Sequence, residues 1–192
     1  MIKSSNKNYK MINISKHIFQ NIFTTCEKLK NHEQYKLQAD KFDMNCTRHN
    51  LTKINDPLVL ELINSCKSIV DSSKSIVELC NIDWIKPTIH HIIYNIEKEY
   101  VIEKHHDSCE LTTIIYLSKY PDIIDEFYVE DEKIIEEHWD TPINKALAMF
   151  KKEPIKYPEH YGKFTGTGKR EVLCLFYPIL NKAIDFHAPS LL

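Results

Sequence analysis

At 192 residues, with 43% hydrophobic and 27% charged side chains, the chain has the length of one domain and enough apolar content for a sizeable core. No apolar run approaches the ~20 residues that cross a bilayer, and the polar opening "MIKSSNKNYKMINISK" lacks the apolar centre of a signal peptide. A net charge of −2 offers no basic footprint for nucleic acid, and six scattered cysteines without a C-x-x-C pair point to a reducing, cytoplasmic setting.

In chain order, the first predicted element is a helix over residues 13–31. Ile14, Ile18, Phe19, Ile22, Phe23, Cys26 and Leu29 fall on one stripe of helical period. "KFDMNCTR", residues 41–48, reads as a strand. A second helix opens with Asp56 as N-cap and Pro57 at its first position. It runs through Leu60, Ile63, Cys66, Ile69 and Val70, with a break expected near "DSS" before "KSIVELC".

From residue 87 the pattern shortens to β-like runs at 88–96, 100–105, 111–118, 126–131, 145–152 and 170–177, separated by "YPD", "WDTP" and "EPIKYPEH". Regular short strands in one domain suggest a sandwich or barrel. The expected organisation is a single domain, 1–192, in which 1–86 is mainly helical support and the β-core follows over 87–180. The acidic run "EDEKIIEEHWD" reads as a solvated face or lid, with Trp139 near the entrance to a site.

The only three glycines, Gly162, Gly166 and Gly168, cluster around "TGTGKR". A P-loop needs four residues between its glycines, then Lys and a hydroxyl residue opening a helix. Here five residues separate Gly162 from Gly168, Arg170 stands where the hydroxyl belongs, and "EVLCLFY" reads as a strand. Phosphate binding is excluded on spacing, chemistry and context.

Chemistry gathers instead at "EKHHDS". On a strand, His105 and Asp107 flank His106 and share a face. Two histidines and a carboxylate can grip Fe(II) from one side and leave positions open, so a third ligand must fold back from downstream. His160 in "YPEHYGKF" is the best candidate, ten residues before Arg170, one of only two arginines among 25 basic residues. Arg170 heads an apolar face with Val172, Cys174 and Phe176, so it needs an anionic partner: either a bound carboxylate or one of the chain's own 27 acids. His106 faces the other way, and His90 and His91 read as structural or pocket-lining. Cys109, two residues beyond Asp107, reads as a packing residue.

Taken in order, a strand tyrosine in "IIYNIEKEYVIEKHHDS", the H-x-D pair, "LTTIIYLSK", "EFYVED", the distal His and the G-x-R strand resemble one family over about residues 88–177. It is that of the Fe(II)- and 2-oxoglutarate-dependent dioxygenases, in particular the prolyl-hydroxylase-like branch. The resemblance implies an α+β fold, a double-stranded β-helix (jelly-roll) core with N-terminal buttressing helices. It implies His105, Asp107 and His160 as iron ligands and catalytic centre, Arg170 as the partner of the far carboxylate of 2-oxoglutarate, and Tyr94 as a further cosubstrate contact. Fe(II), 2-oxoglutarate and O2 would be used, with ascorbate as an admissible addition. The implied reaction is hydroxylation of a C–H bond, first of all on a prolyl side chain of a protein or peptide.

Two departures stand out: Asp125 and Glu126 replace the family's paired glycines before "EF", and Ser118 replaces an asparagine. Neither is expected to touch the metal or cosubstrate residues. An AlkB-like nucleic-acid demethylase is the runner-up, disfavoured because "REVLCLFYPIL" lacks a second arginine. A non-catalytic metal-binding β-helix module is the third reading. No membrane partner is expected.

Overall fold

A computed structural model describes residues 7–41, 43–71, 87–117, 120–139, 144–150 and 157–178. Its strands are β1 (Tyr9–Asn13), β2 (Ala39–Lys41), β3 (Cys46–Asn50), β4 (Thr88–Ile96), β5 (Glu99–His105), β6 (Leu111–Tyr116), β7 (Tyr120–Val129), β8 (Glu132–Trp139), β9 (Lys145–Phe150), β10 (His160–Gly166) and β11 (Gly168–Tyr177). They form a seven-stranded sheet in the order β1-β9-β6-β11-β4-β3-β2 and a four-stranded sheet in the order β5-β10-β7-β8. Neighbours pair antiparallel throughout. The helices are α1 (Lys16–Lys30), α2 (Glu33–Leu37) and α3 (Pro57–Asp71). This is an α+β architecture with a double-stranded β-helix core.

Local sequence accounts for the helix ends. Ser15 caps α1 by accepting from the Ile18 amide at 3.3 Å, and Lys28 and Lys30 sit in the last turn, where cations favour the dipole. Asp56 accepts from the Leu58 amide at 2.8 Å, and Pro57 begins α3. The expected break after residue 71 lies outside the described residues.

Period-two alternation on the central strands creates two cores. On β11, Leu173, Leu175 and Tyr177 face the helices and join Ile22, Cys26 and Leu29 of α1 and Leu62, Cys66 and Ile69 of α3. Val172 and Cys174 face the opposite way, into the sandwich, with Ile114, Phe127, Leu147 and Phe164. The helices therefore stiffen one face of the large sheet while the other face is left for a site between sheets.

Three expectations change. "KFDMNCTR" is not one strand: β2 and β3 form a hairpin, and the Asp43 side chain accepts from the Asn45 amide at 2.7 Å between them. The acidic run is a strand rather than a loop: Glu132–Trp139 forms β8, paired with a β7 that is longer than predicted, and Glu130, Asp131, Glu132 and Lys133 are exposed as a solvated face would be. The two-residue connection has Glu130 at φ 51° and Asp131 at φ 64°, matching the twist that hairpins need. The short β1 was not predicted, since its five residues lie in a polar segment and gain their order by pairing with β9.

Candidate metal centre

β5 and β10 run antiparallel with His105 opposite His160, so a residue 55 positions away becomes a cross-strand neighbour. Asp107 lies just past the end of β5. One ligand atom from each of His105, Asp107 and His160 lies within 4.8 Å of the others. The rings of the two histidines are 4.3 Å apart between centroids, and His160 Nε2 is 3.6 Å from Asp107 Oδ2. His106 is exposed and stacks on Tyr157 instead: Tyr100 and Ile102 face inward, and the register shift between the Ile102 and His105 pairings breaks the alternation of β5 and turns His105 inward.

Each donor is held from behind. His105 Nδ1 lies 2.7 Å from the Glu103 carbonyl, and His160 Nδ1 lies 3.2 Å from the Pro158 carbonyl. A carbonyl only accepts, so each Nδ1 carries a proton and Nε2 is the ring nitrogen that can face a metal. Asp107 Oδ2 accepts from the Thr112 hydroxyl at 2.6 Å, which in turn lies 3.0 Å from Cys109 Sγ. Burial lowers the pKa of His160, against the opposing pull of the Asp107 carboxylate, and so favours the neutral ring a metal needs. Burial pushes the Cys109 thiol well up, consistent with a packed thiol rather than a thiolate. Two imidazoles presenting Nε2 and an oriented carboxylate on one side fit a divalent metal of the Fe(II) class.

Arg170 lies deeper between the sheets and is 1% exposed. Its guanidinium carbon stands 4.1 Å from the centre of the Phe164 ring, 5.2 Å from that of Tyr94 and 5.3 Å from that of Tyr116. Tyr94 is also the register partner of Arg170 across β4 and β11. Burial raises the Tyr94 hydroxyl pKa far above its ordinary value, so the phenol stays protonated.

The anionic partner of Arg170 is Asp125: its Oδ2 accepts from Arg170 Nε at 2.8 Å, and the residue is 0% exposed. The expectation that the replaced glycines leave the cosubstrate residues untouched therefore fails at this position. The signal was present in "IIDEFYV", where Asp125 alternates with Ile123, Phe127 and Val129 on the inward face of β7. A carboxylate on one apolar face and a guanidinium on another call for each other. Thr112, Phe164 and Tyr116 also escaped sequence reading. Apolar alternation marks the latter two as core but says nothing of an arginine between them.

On the opposite face of the large sheet, His91 is a core residue. It lies 2.5 Å from the Tyr35 hydroxyl and 3.2 Å from Glu171 Oε2, which Lys30 also pairs at 2.6 Å. Burial alone would raise the Glu171 pKa, but bonds from His91, Lys30 and Lys169 hold it well below the carboxylate range. His90 is buried too, edge-on to Phe176.

No family model matches the chain, and no curated protein sequence matches it. Solved structures are similar. A prolyl-4-hydroxylase from Pseudomonas putida superposes with a TM-score of 0.61 at 8% identity, over 91% of this chain and 94% of that one. SnoN, a non-heme alpha-ketoglutarate-dependent epimerase from nogalamycin biosynthesis, gives 0.58 at 7% identity, over 90% and 76%. A full-length Neurospora crassa protein, solved in complex with alpha-KG, gives 0.52 at 9% identity, over 92% and 77%. At this level of identity the likeness is one of fold, and the chain has the double-stranded β-helix fold of these proteins.

Proposed function

We propose that this chain is an Fe(II)- and 2-oxoglutarate-dependent oxygenase that hydroxylates a C–H bond, with a prolyl side chain of a protein or peptide as the first substrate class. The observation that carries the reading is the convergence of His105, Asp107 and His160 to within 4.8 Å at the end of a sandwich whose interior holds Arg170. When bound, iron supplies the oxidation chemistry: 2-oxoglutarate, O2 and R–H become succinate, CO2 and R–OH, one oxygen atom going to succinate and one to the product.

The chain's own residues bind and orient. His105 and His160 would present Nε2 to the metal, their rings fixed by the Glu103 and Pro158 carbonyls. Asp107 would supply the anionic ligand, aimed by Thr112. Arg170 would receive the far carboxylate of the cosubstrate, with Tyr94 packed on its guanidinium. Phe164, Tyr116 and Val172 keep water from this end of the site, which strengthens every charged contact there.

A small-molecule substrate is the second reading, supported by the similarity to SnoN, an enzyme of nogalamycin biosynthesis. Both readings share one test. Protein purified without oxygen, given Fe(II), 2-oxoglutarate and then O2, is expected to release succinate slowly even without substrate. Arg170→Ala should cut that release at least about tenfold. Absence of 2-oxoglutarate-dependent succinate would contradict the reading. A panel of prolyl peptides, small hydroxylatable molecules and methylated oligonucleotides then sorts the substrate class by which member accelerates succinate release.

A further inference from the structure

Arg170 and Asp125 form an ion pair across the interior of the sandwich, one from each sheet: β11 belongs to the seven-stranded sheet and β7 to the four-stranded one. Both residues are fully buried, and three aromatic rings surround the guanidinium. We propose that Asp125 is a specificity-determining residue that competes with an incoming carboxylate for Arg170 and so sets how strongly the chain holds 2-oxoglutarate. This inference rests on the reading of Arg170 as the partner of the cosubstrate's far carboxylate.

The physics is that of two anions sharing one cation. A guanidinium offers a side edge, carrying Nε, and an end edge between its two terminal nitrogens. Asp125 Oδ2 engages Nε at 2.8 Å, so the pair is already charge-neutral. A second carboxylate arriving at the same guanidinium lands within a few ångströms of Asp125, where few waters screen the repulsion. The cost falls on a ligand with a far carboxylate and spares one without it.

Asp125 also reaches the site by a route that suits control. It sits on β7 opposite Phe164 of β10, four residues along the same strand from His160. That separation is about 13 Å of strand, which the arginine side chain and a bound cosubstrate would cover together from opposite ends. A charge change at position 125 can therefore alter the far end of the ligand while leaving the metal donors alone.

The test compares 2-oxoglutarate with 2-oxopentanoate, which has the same five carbons and no far carboxylate. Affinities would be measured by calorimetry on Fe(II)-loaded protein under anaerobic conditions. In the unaltered chain the far carboxylate should add less than about tenfold to affinity. Asp125→Asn, which keeps an acceptor for Nε, and Asp125→Ser should each bind 2-oxoglutarate at least about tenfold tighter than the unaltered chain, with 2-oxopentanoate changed by less than about twofold.

A far-carboxylate gain well above tenfold in the unaltered chain overturns the proposal without any variant. So does unchanged or weaker 2-oxoglutarate binding in a folded variant, the latter marking Asp125 as a positioning residue for Arg170. Equal tightening of both ligands overturns it as well. If neither 2-oxo acid binds to any form, the oxygenase reading falls and this proposal with it.

Discussion

The candidate metal donors depend on partners that no spacing rule reveals. Thr112 Oγ1 donates to Asp107 Oδ2 at 2.6 Å and leaves that carboxylate one orientation. Thr112→Val keeps the shape of the side chain and removes the donor, so affinity for Fe(II), or for Co(II) as a spectroscopic stand-in, should fall about 10- to 100-fold. The melting temperature should move by no more than a few degrees. An unchanged metal affinity would show that Asp107 does not depend on Thr112. His105, Asp107 and His160 could be nominated from residue type and order along the chain, but the register shift in the β5–β10 pairing that turns His105 inward could not. Thr112 and Asp125 were not nominated, because their roles come from cross-strand and cross-sheet neighbours that only the fold brings near.

At the scale of elements, the turn between β10 and β11 carries the chain from one sheet to the other and delivers Arg170 into the interior. Gly166 has φ +128°, and a Cβ there would lie 1.9 Å from the Asp122 carbonyl oxygen, which is backbone and has little room to move. Gly168 has φ +151°, but its added Cβ would meet only the end of the Ile123 side chain at 3.2 Å. Gly166→Ala should therefore cost several kcal/mol, on the order of 3 or more, and Gly168→Ala about 1–2. Denaturant unfolding of the two variants checks the order, and a larger loss in Gly168→Ala would contradict it.

The strands at 88–96 and 170–177 were readable to within two residues, since β-branched and aromatic residues fill them. The hairpin of β7 and β8 was not, because an acidic edge strand resembles a solvated loop when its pairing is unknown.

At the scale of the molecule, several histidines are buried as neutral rings. Burial lowers the pKa of His90 to about 4, and it also lowers those of His49 and, despite Glu171, His91. Between pH 6.5 and about 4 the unfolded chain binds protons at His90 that the folded chain refuses. The His90 contribution is thus intact above pH 6.5 and is lost as pH falls toward 4, by up to about 3 kcal/mol. Urea unfolding of the metal-free protein across this range should show that decline, and His90→Gln should flatten it. An equal slope in both proteins would contradict the account.

That helices dominate early and strands later was readable from apolar period, which switches from helical to alternating along the chain; that the helices buttress one sheet was implied by the resemblance alone. The pairing of sheets was not readable, because no local pattern states which strand lies opposite which.

The most direct measurement is anaerobic calorimetry of 2-oxoglutarate into the Fe(II)-loaded chain, beside His160→Ala treated identically. The expected result is one metal and one 2-oxoglutarate per chain, with 2-oxoglutarate binding dependent on the metal and both lost in His160→Ala although the variant keeps its fold. Metal-independent 2-oxoglutarate binding, or a His160→Ala variant that holds both as well as the unaltered chain does, would contradict a site built on His105, Asp107 and His160.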